Sequence, residues 1–218
     1  MHGFGQRPYA HLLFLRPDFA IAYHIILQQS SKIITLLLAD QLFLSSMNKC
    51  IFLDRDGVLN EDRTDYVYRV EDFIIPHGVP EALRSFKEAG YLLIVITNQA
   101  GIAKGLYTRD DVMACYHYLQ EQCGHVIDDI YYSPHHPAYD SHSLTRKPDS
   151  LLLEKAMAKY NIVPNESWMI GDALRDMQAG KRVGVKTVRI AQQTHPAPDC
   201  DGCALNLLEA SRFVLEQA

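Results

Sequence analysis

Two hydrophobic rhythms alternate along most of this chain. Cys50-Ile51-Phe52-Leu53 is an unbroken apolar run, the pattern of a strand buried on both faces and hence central in a parallel sheet. Residues 80–89 change to helical spacing, with Ala82, Leu83 and Phe86 on one face and Gly90 placed to end the helix. A second apolar strand is expected over 91–96. Thr108, with Asp111 three residues on, resembles a capping box and opens a helix through Val112, Tyr116 and Leu119. A third strand is expected over 126–132, and Pro148 and Asp149 then open a helix striped by Leu152, Leu153, Ala156, Met157 and Tyr160. A strand at 167–170, a short helix at 174–181, a strand at 185–190 and a last helix at 205–216 complete the pattern. Such alternation predicts an α/β fold, a Rossmann-like three-layer α/β/α arrangement around a central parallel sheet. The intervals after Gly57 and between the second and third strands are too short for an inserted lid, so no large cap domain is expected.

The first 46 residues do not share this rhythm. Their apolar runs are broken by Arg16-Pro17-Asp18, Lys32 and Asp40, and none reaches the roughly 20 residues of a membrane span. Met47-Asn48-Lys49 stands directly before the first strand. Residues 1–46 are therefore expected to be an extension outside the core, and residues 47–218 the folded domain. Composition adds little beyond a globular class: of 218 residues, 48% are hydrophobic and 22% charged. The net charge of −5 argues against a nucleic-acid or anionic-membrane partner. Five cysteines, an odd number, suggest reduced thiols and a cytoplasmic setting, and a monomer is expected. Cys200-Asp201-Gly202-Cys203 is a lone CxxC and reads as a turn carrying two thiols rather than a zinc or redox centre.

In open α/β sheets, ligands bind outside the carboxyl ends of the strands. The first strand ends in Asp54-Arg55-Asp56-Gly57, which taken alone could equally be a solvated Asp-rich turn. The second ends in Thr97-Asn98-Gln99-Ala100-Gly101, small polar donors suited to a phosphate. Arg146-Lys147 precedes the next helix, and the fourth strand ends in Gly171-Asp172, with Asp176 four residues on. Each is common loop chemistry by itself; four in order, each at a strand end or before a helix, are not. Asp54-x-Asp56-Gly57-Val58, Thr97-Asn98, Lys147 and Gly171-Asp172-x3-Asp176 together resemble the four motifs of the haloacid-dehalogenase-like phosphatases. Residues 97–105 and Arg146-Lys147-Pro148 are similar, more narrowly, to the branch of the heptose-bisphosphate and histidinol-phosphate phosphatases.

That resemblance implies a phosphomonoesterase acting through an aspartyl-phosphate, with a small phosphorylated sugar as substrate and histidinol phosphate as the alternative. Asp54 would be the nucleophile, Asp56 the general acid and base, and Thr97 and Lys147 would steady the transferred phosphoryl group. The implied Mg²⁺ ligands are Asp54, the backbone carbonyl of Asp56, and Asp172, with Asp176 orienting Lys147 or a metal-bound water. Substrate contacts would come from Asn98, Gln99, Arg146 and the loop Asp62-Arg63-Thr64-Asp65. An inactive phosphate-binding module is the alternative of a different class. Branch members often carry a Cys-x-His and Cys-x-Cys zinc loop; here Ser133, His135, Ser143 and Thr145 hold those places. Hydroxyls are poor zinc ligands, so no zinc is expected. Ala173 occupies a place that is lysine in some heptose enzymes.

Overall fold

The computed structural model describes residues 47–191 and 200–217. Expectations about residues 1–46 lie outside these. Six parallel strands form one sheet: β1 (Cys50–Leu53), β2 (Leu92–Asn98), β3 (Asp129–Ser133), β4 (Trp168–Gly171), β5 (Lys186–Ile190) and β6 (Gly202–Ala204). Their order is β3-β2-β1-β4-β5-β6. Among the described residues, five α-helices connect or follow them: α1 (Val79–Glu88), α2 (Arg109–Gln122), α3 (Leu151–Tyr160), α4 (Leu174–Arg182) and α5 (Leu207–Leu215).

β1 explains the layering. All four of its residues are buried, and a strand sends successive side chains to opposite faces. Ile51 and Leu53 enter one core with Leu83 and Phe86 of α1, Leu119 of α2 and Val214 of α5. Cys50 and Phe52 enter the other with Leu153 and Ala156 of α3 and Ala179 of α4. Helices thus cover both faces. At the start of α2, Thr108 accepts from the Asp111 amide at 3.2 Å while Asp111 accepts from the Thr108 amide at 2.8 Å, the reciprocal capping that the sequence suggested.

Strand order places the site. β2 and β3 extend from β1 to one side, and the chain then crosses to lay down β4, β5 and β6 on the other. The crevice of such a sheet opens where the direction reverses, beside the carboxyl ends of β1 and β4. Before α1, the chain after β1 forms only one 3₁₀ turn, Val70–Asp72, and α2 alone joins β2 to β3, so no cap domain is inserted at either of these two places.

Three expectations shift. The third strand begins at Asp129, because pairing with β2 starts at Ile94↔Asp129; Ile127 is held in a loop by Gln120 instead. Residues 148–150 are a turn after a cis Lys147–Pro148 bond, and α3 starts at Leu151. The segment expected as a bare CxxC turn contains the edge strand β6, paired with β5 through Arg189↔Cys203. Three residues are too few for a periodic signal.

Candidate active site

β1 delivers Asp54, whose amide donates to the Ile170 carbonyl of β4 at 2.9 Å. The chain then turns at once: the Leu59 and Asn60 amides return to the Arg55 carbonyl at 2.8 and 3.1 Å. Gly57 sits in this turn at φ +80°, and a Cβ there would lie 2.6 Å from Asp172 Oδ2. Only glycine lets the two motifs approach this closely.

Lys147 joins the pieces. Its ammonium, in a side chain 1% exposed, lies 2.9 Å from Asp54 Oδ1 and 2.7 Å from Asp176 Oδ1, and donates to the Ile96 carbonyl at 2.6 Å. Burial alone would lower its proton affinity; Asp176 and Asp54 reverse this and raise it, so it is a fixed cation. Burial, with Asp176 and Asp56 nearby, pushes Asp54 up to about 7 against the pull of Lys147. Asp172 is raised as well, by burial and then by Asp176.

Carboxylate oxygens of Asp54, Asp172 and Asp176 lie within 4.8 Å of one another. Asp176 is committed elsewhere, to Lys147 and to the Ala173 amide at 3.0 Å. Asp172 Oδ1 is buried without a hydrogen-bond partner. A buried, orphaned carboxylate oxygen beside a second carboxylate is unfavourable unless a cation completes it, and an all-oxygen donor set suits Mg²⁺. The residues present therefore fit that ion.

Asp56 is oriented by a network the sequence did not announce. Its Oδ1 accepts from Arg55 Nε and Nη2 at 3.1 and 2.7 Å and from Asn60 Nδ2 at 3.0 Å; its Oδ2 accepts from Gln99 Nε2 at 3.1 Å. Arg55, 2% exposed, also donates to the Val67 carbonyl. A cation set between two carboxylates just past a buried strand was the available signal for Arg55.

Thr97 is buried, and its Oγ1 accepts from Gln99 Nε2 at 2.9 Å, which leaves its own hydrogen free to donate. Two residues expected to contact substrate have their side chains engaged within the protein. Gln99 is buried, and its side chain bonds Asp56, Thr97 and the Tyr107 hydroxyl. The Asn98 amide is clamped on the Lys147 backbone, donating to its carbonyl and accepting from its amide, both at 3.0 Å. Arg146 is half-buried, donates to the His135 carbonyl at 3.2 Å, and feels the charge of Arg175. In the 62–65 loop, Arg63 pairs with Asp65 and Asp72, Thr64 is exposed, and Asp62 is near enough to Asp172 to raise its proton affinity. The four positions compared with a zinc loop split in two. Thr145 Oγ1 meets Ser133 Oγ at 2.9 Å and Ser143 Oγ at 2.8 Å, whereas His135 turns to Asp140 at 2.6 Å.

Known proteins share this architecture. A family model described as HAD-hydrolase-like matches residues 144–210. The D-glycero-beta-D-manno-heptose-1,7-bisphosphate 7-phosphatase of Haemophilus ducreyi is 38% identical over 162 residues, 71% of this chain and 88% of that protein. Its counterpart in Neisseria meningitidis serogroup A is 33% identical over 181 residues, 78% of this chain and 96% of that protein. The crystal structure of D,D-heptose 1,7-bisphosphate phosphatase from B. bronchiseptica, complexed with magnesium and phosphate, superposes with a TM-score of 0.71 at 25% identity, over 78% of this chain and 99% of that one. Overall fold and sequence agree, and the chain belongs to the haloacid-dehalogenase-like phosphatases, within the family of the D-glycero-β-D-manno-heptose-1,7-bisphosphate 7-phosphatases.

Proposed function

We propose that this phosphoric monoester hydrolase removes the 7-phosphate of D-glycero-D-manno-heptose 1,7-bisphosphate through an aspartyl-phosphate on Asp54. The supporting observation is the meeting of Asp54, Lys147, Asp176 and the orphaned Asp172 oxygen at the crevice of the sheet, in a chain 38% identical to a heptose bisphosphatase. A carboxylate nucleophile divides one slow hydrolysis into two easier steps. Asp54 attacks phosphorus, and Asp56, fixed by Arg55, Asn60 and Gln99, gives its proton to the leaving sugar oxygen. Asp56 then takes a proton from the water that attacks the intermediate, and phosphate and the Asp54 carboxylate are released.

Lys147 holds positive charge against the phosphoryl oxygens, and the Thr97 hydroxyl donates to one of them. Magnesium, held by Asp54, Asp172 and the Asp56 carbonyl, would neutralise charge that builds up on the transferred group. Arg146 can grip the uncleaved phosphate in two-pronged fashion, and the 62–65 loop borders the sugar. The mutual bonding of Ser133, Thr145 and Ser143 supports a loop that holds its shape without zinc. A monomer acting in the cytoplasm fits the odd cysteine count and acidic balance.

The test is kcat/KM with Mg²⁺ across sugar bisphosphates, histidinol phosphate and an aryl phosphate, for the wild type and Asp54→Asn. The heptose bisphosphate is expected to lead, and Asp54→Asn to lose on the order of 10⁴-fold or more. A tenfold preference for histidinol phosphate would replace the substrate, and phosphatase activity surviving in Asp54→Asn would remove the mechanism.

A further inference from the structure

The CxxC pair lies outside the catalytic machinery, and the fold brings its two sulfurs together. Cys200 Sγ and Cys203 Sγ are 3.1 Å apart, about 1 Å beyond the ~2.05 Å of a disulfide bond. The intervening residues are pinned from two sides. Asp201 donates its amide to the Thr187 carbonyl at 2.9 Å, and its carboxylate accepts from the Thr187 amide and hydroxyl at 2.8 and 2.9 Å. Gly202 lies against the Phe213 ring of α5 so closely that a Cβ would overlap it. Cys203 is fixed in β6 opposite Arg189. Both thiols are half-buried, whereas Cys50, Cys115 and Cys123 are buried, and burial pushes the Cys123 thiol up to about 11. Attack requires a thiolate with access, so the pair is where this chain can exchange with disulfides.

We infer that Cys200 and Cys203 form a reversible redox site that closes into an intramolecular disulfide on reaction with a small-molecule disulfide. One cysteine thiolate attacks a sulfur of oxidised glutathione, forming a mixed disulfide and expelling one glutathione thiolate. The second cysteine thiolate attacks the protein sulfur of that mixed disulfide and expels the other. The pair gives up two electrons and two protons, and the glutathione disulfide is reduced to two thiols.

The experiment equilibrates the full chain in graded ratios of oxidised to reduced glutathione, traps thiols with a maleimide under denaturing conditions, and reads intact mass and peptides. Reduced protein is expected to carry five labels, one per cysteine. Oxidised protein should carry two fewer, with the link mapped to residues 200–203, and dithiothreitol should restore them. Cys203→Ser should stop at a single glutathione adduct on Cys200, and Cys200→Ala, read in parallel, at one on Cys203. Five labels throughout the series, or stoichiometric zinc released when the thiols are modified, would overturn the inference.

Discussion

Asp56 can act as acid in one step and base in the next only while its carboxylate keeps one orientation, and the forked contact from Arg55 sets it. Lysine cannot reproduce that fork. Arg55→Lys is therefore expected to lower kcat by about 10–100-fold while KM changes little, as steady-state kinetics would show. A matching rise in KM would mean that Arg55 serves binding instead. Asp54 gives a pH dependence. Its folded-state affinity is raised to about 7 from an ordinary 3.8, so the ion-free fold holds more protons than the unfolded chain between those values. This group's contribution to stability accordingly falls as pH rises through that window. A cation needs the ionised form. The gain in Tm from Mg²⁺ should be small near pH 5, grow to pH 8, and vanish in Asp54→Asn; a pH-independent gain would place the ion elsewhere. Asp54, Asp56 and Asp172 after strands and Lys147 before a helix were legible only as a set, through the motifs they resemble together. Asn60 acts on another side chain and carries no spacing that marks it, and Gln99 was marked only as a polar group at a strand end, with nothing to show its bond to Asp56.

Among the elements, the segment between β3 and α3 carries Arg146 and Lys147 and is anchored without regular structure. The Asn98 amide clamps its end, and the hydroxyls of Ser133, Thr145 and Ser143 tie its middle to the end of β3. Thr145→Val removes the shared hydroxyl and strands a buried Ser133. A loss of about 1–3 kcal/mol is expected in denaturant unfolding, with a raised KM for the bisphosphate as Arg146 loosens. Unchanged stability and KM would show the knot to be incidental. The long elements were legible because burial on both faces writes continuous apolar runs and helical stripes. β6 and the start of β3 were not, since pairing with a neighbour defines them and their own residues do not.

At the scale of the molecule, the six strands of the described residues lie between Cys50 and Ala204, so a chain starting at Met47 is expected to keep kcat/KM within about twofold. Lost solubility or activity would make residues 1–46 part of the working protein. Lys147 connects the site to the fold, because its ammonium touches groups from β1, β2 and α4 together. Lys147→Met leaves Asp54 and Asp176 buried without their cation, and about 3–5 kcal/mol of stability is expected to go at pH 8. The deficit should shrink near pH 5, where Asp54 takes up its proton. One ammonium thus closes the junction between separate crossovers of the chain, and opening there is expected to accompany global unfolding. Heat inactivation and melting of one sample will superimpose. A preparation then holds only armed molecules and inert ones, and an active-site titration counts the folded protein directly.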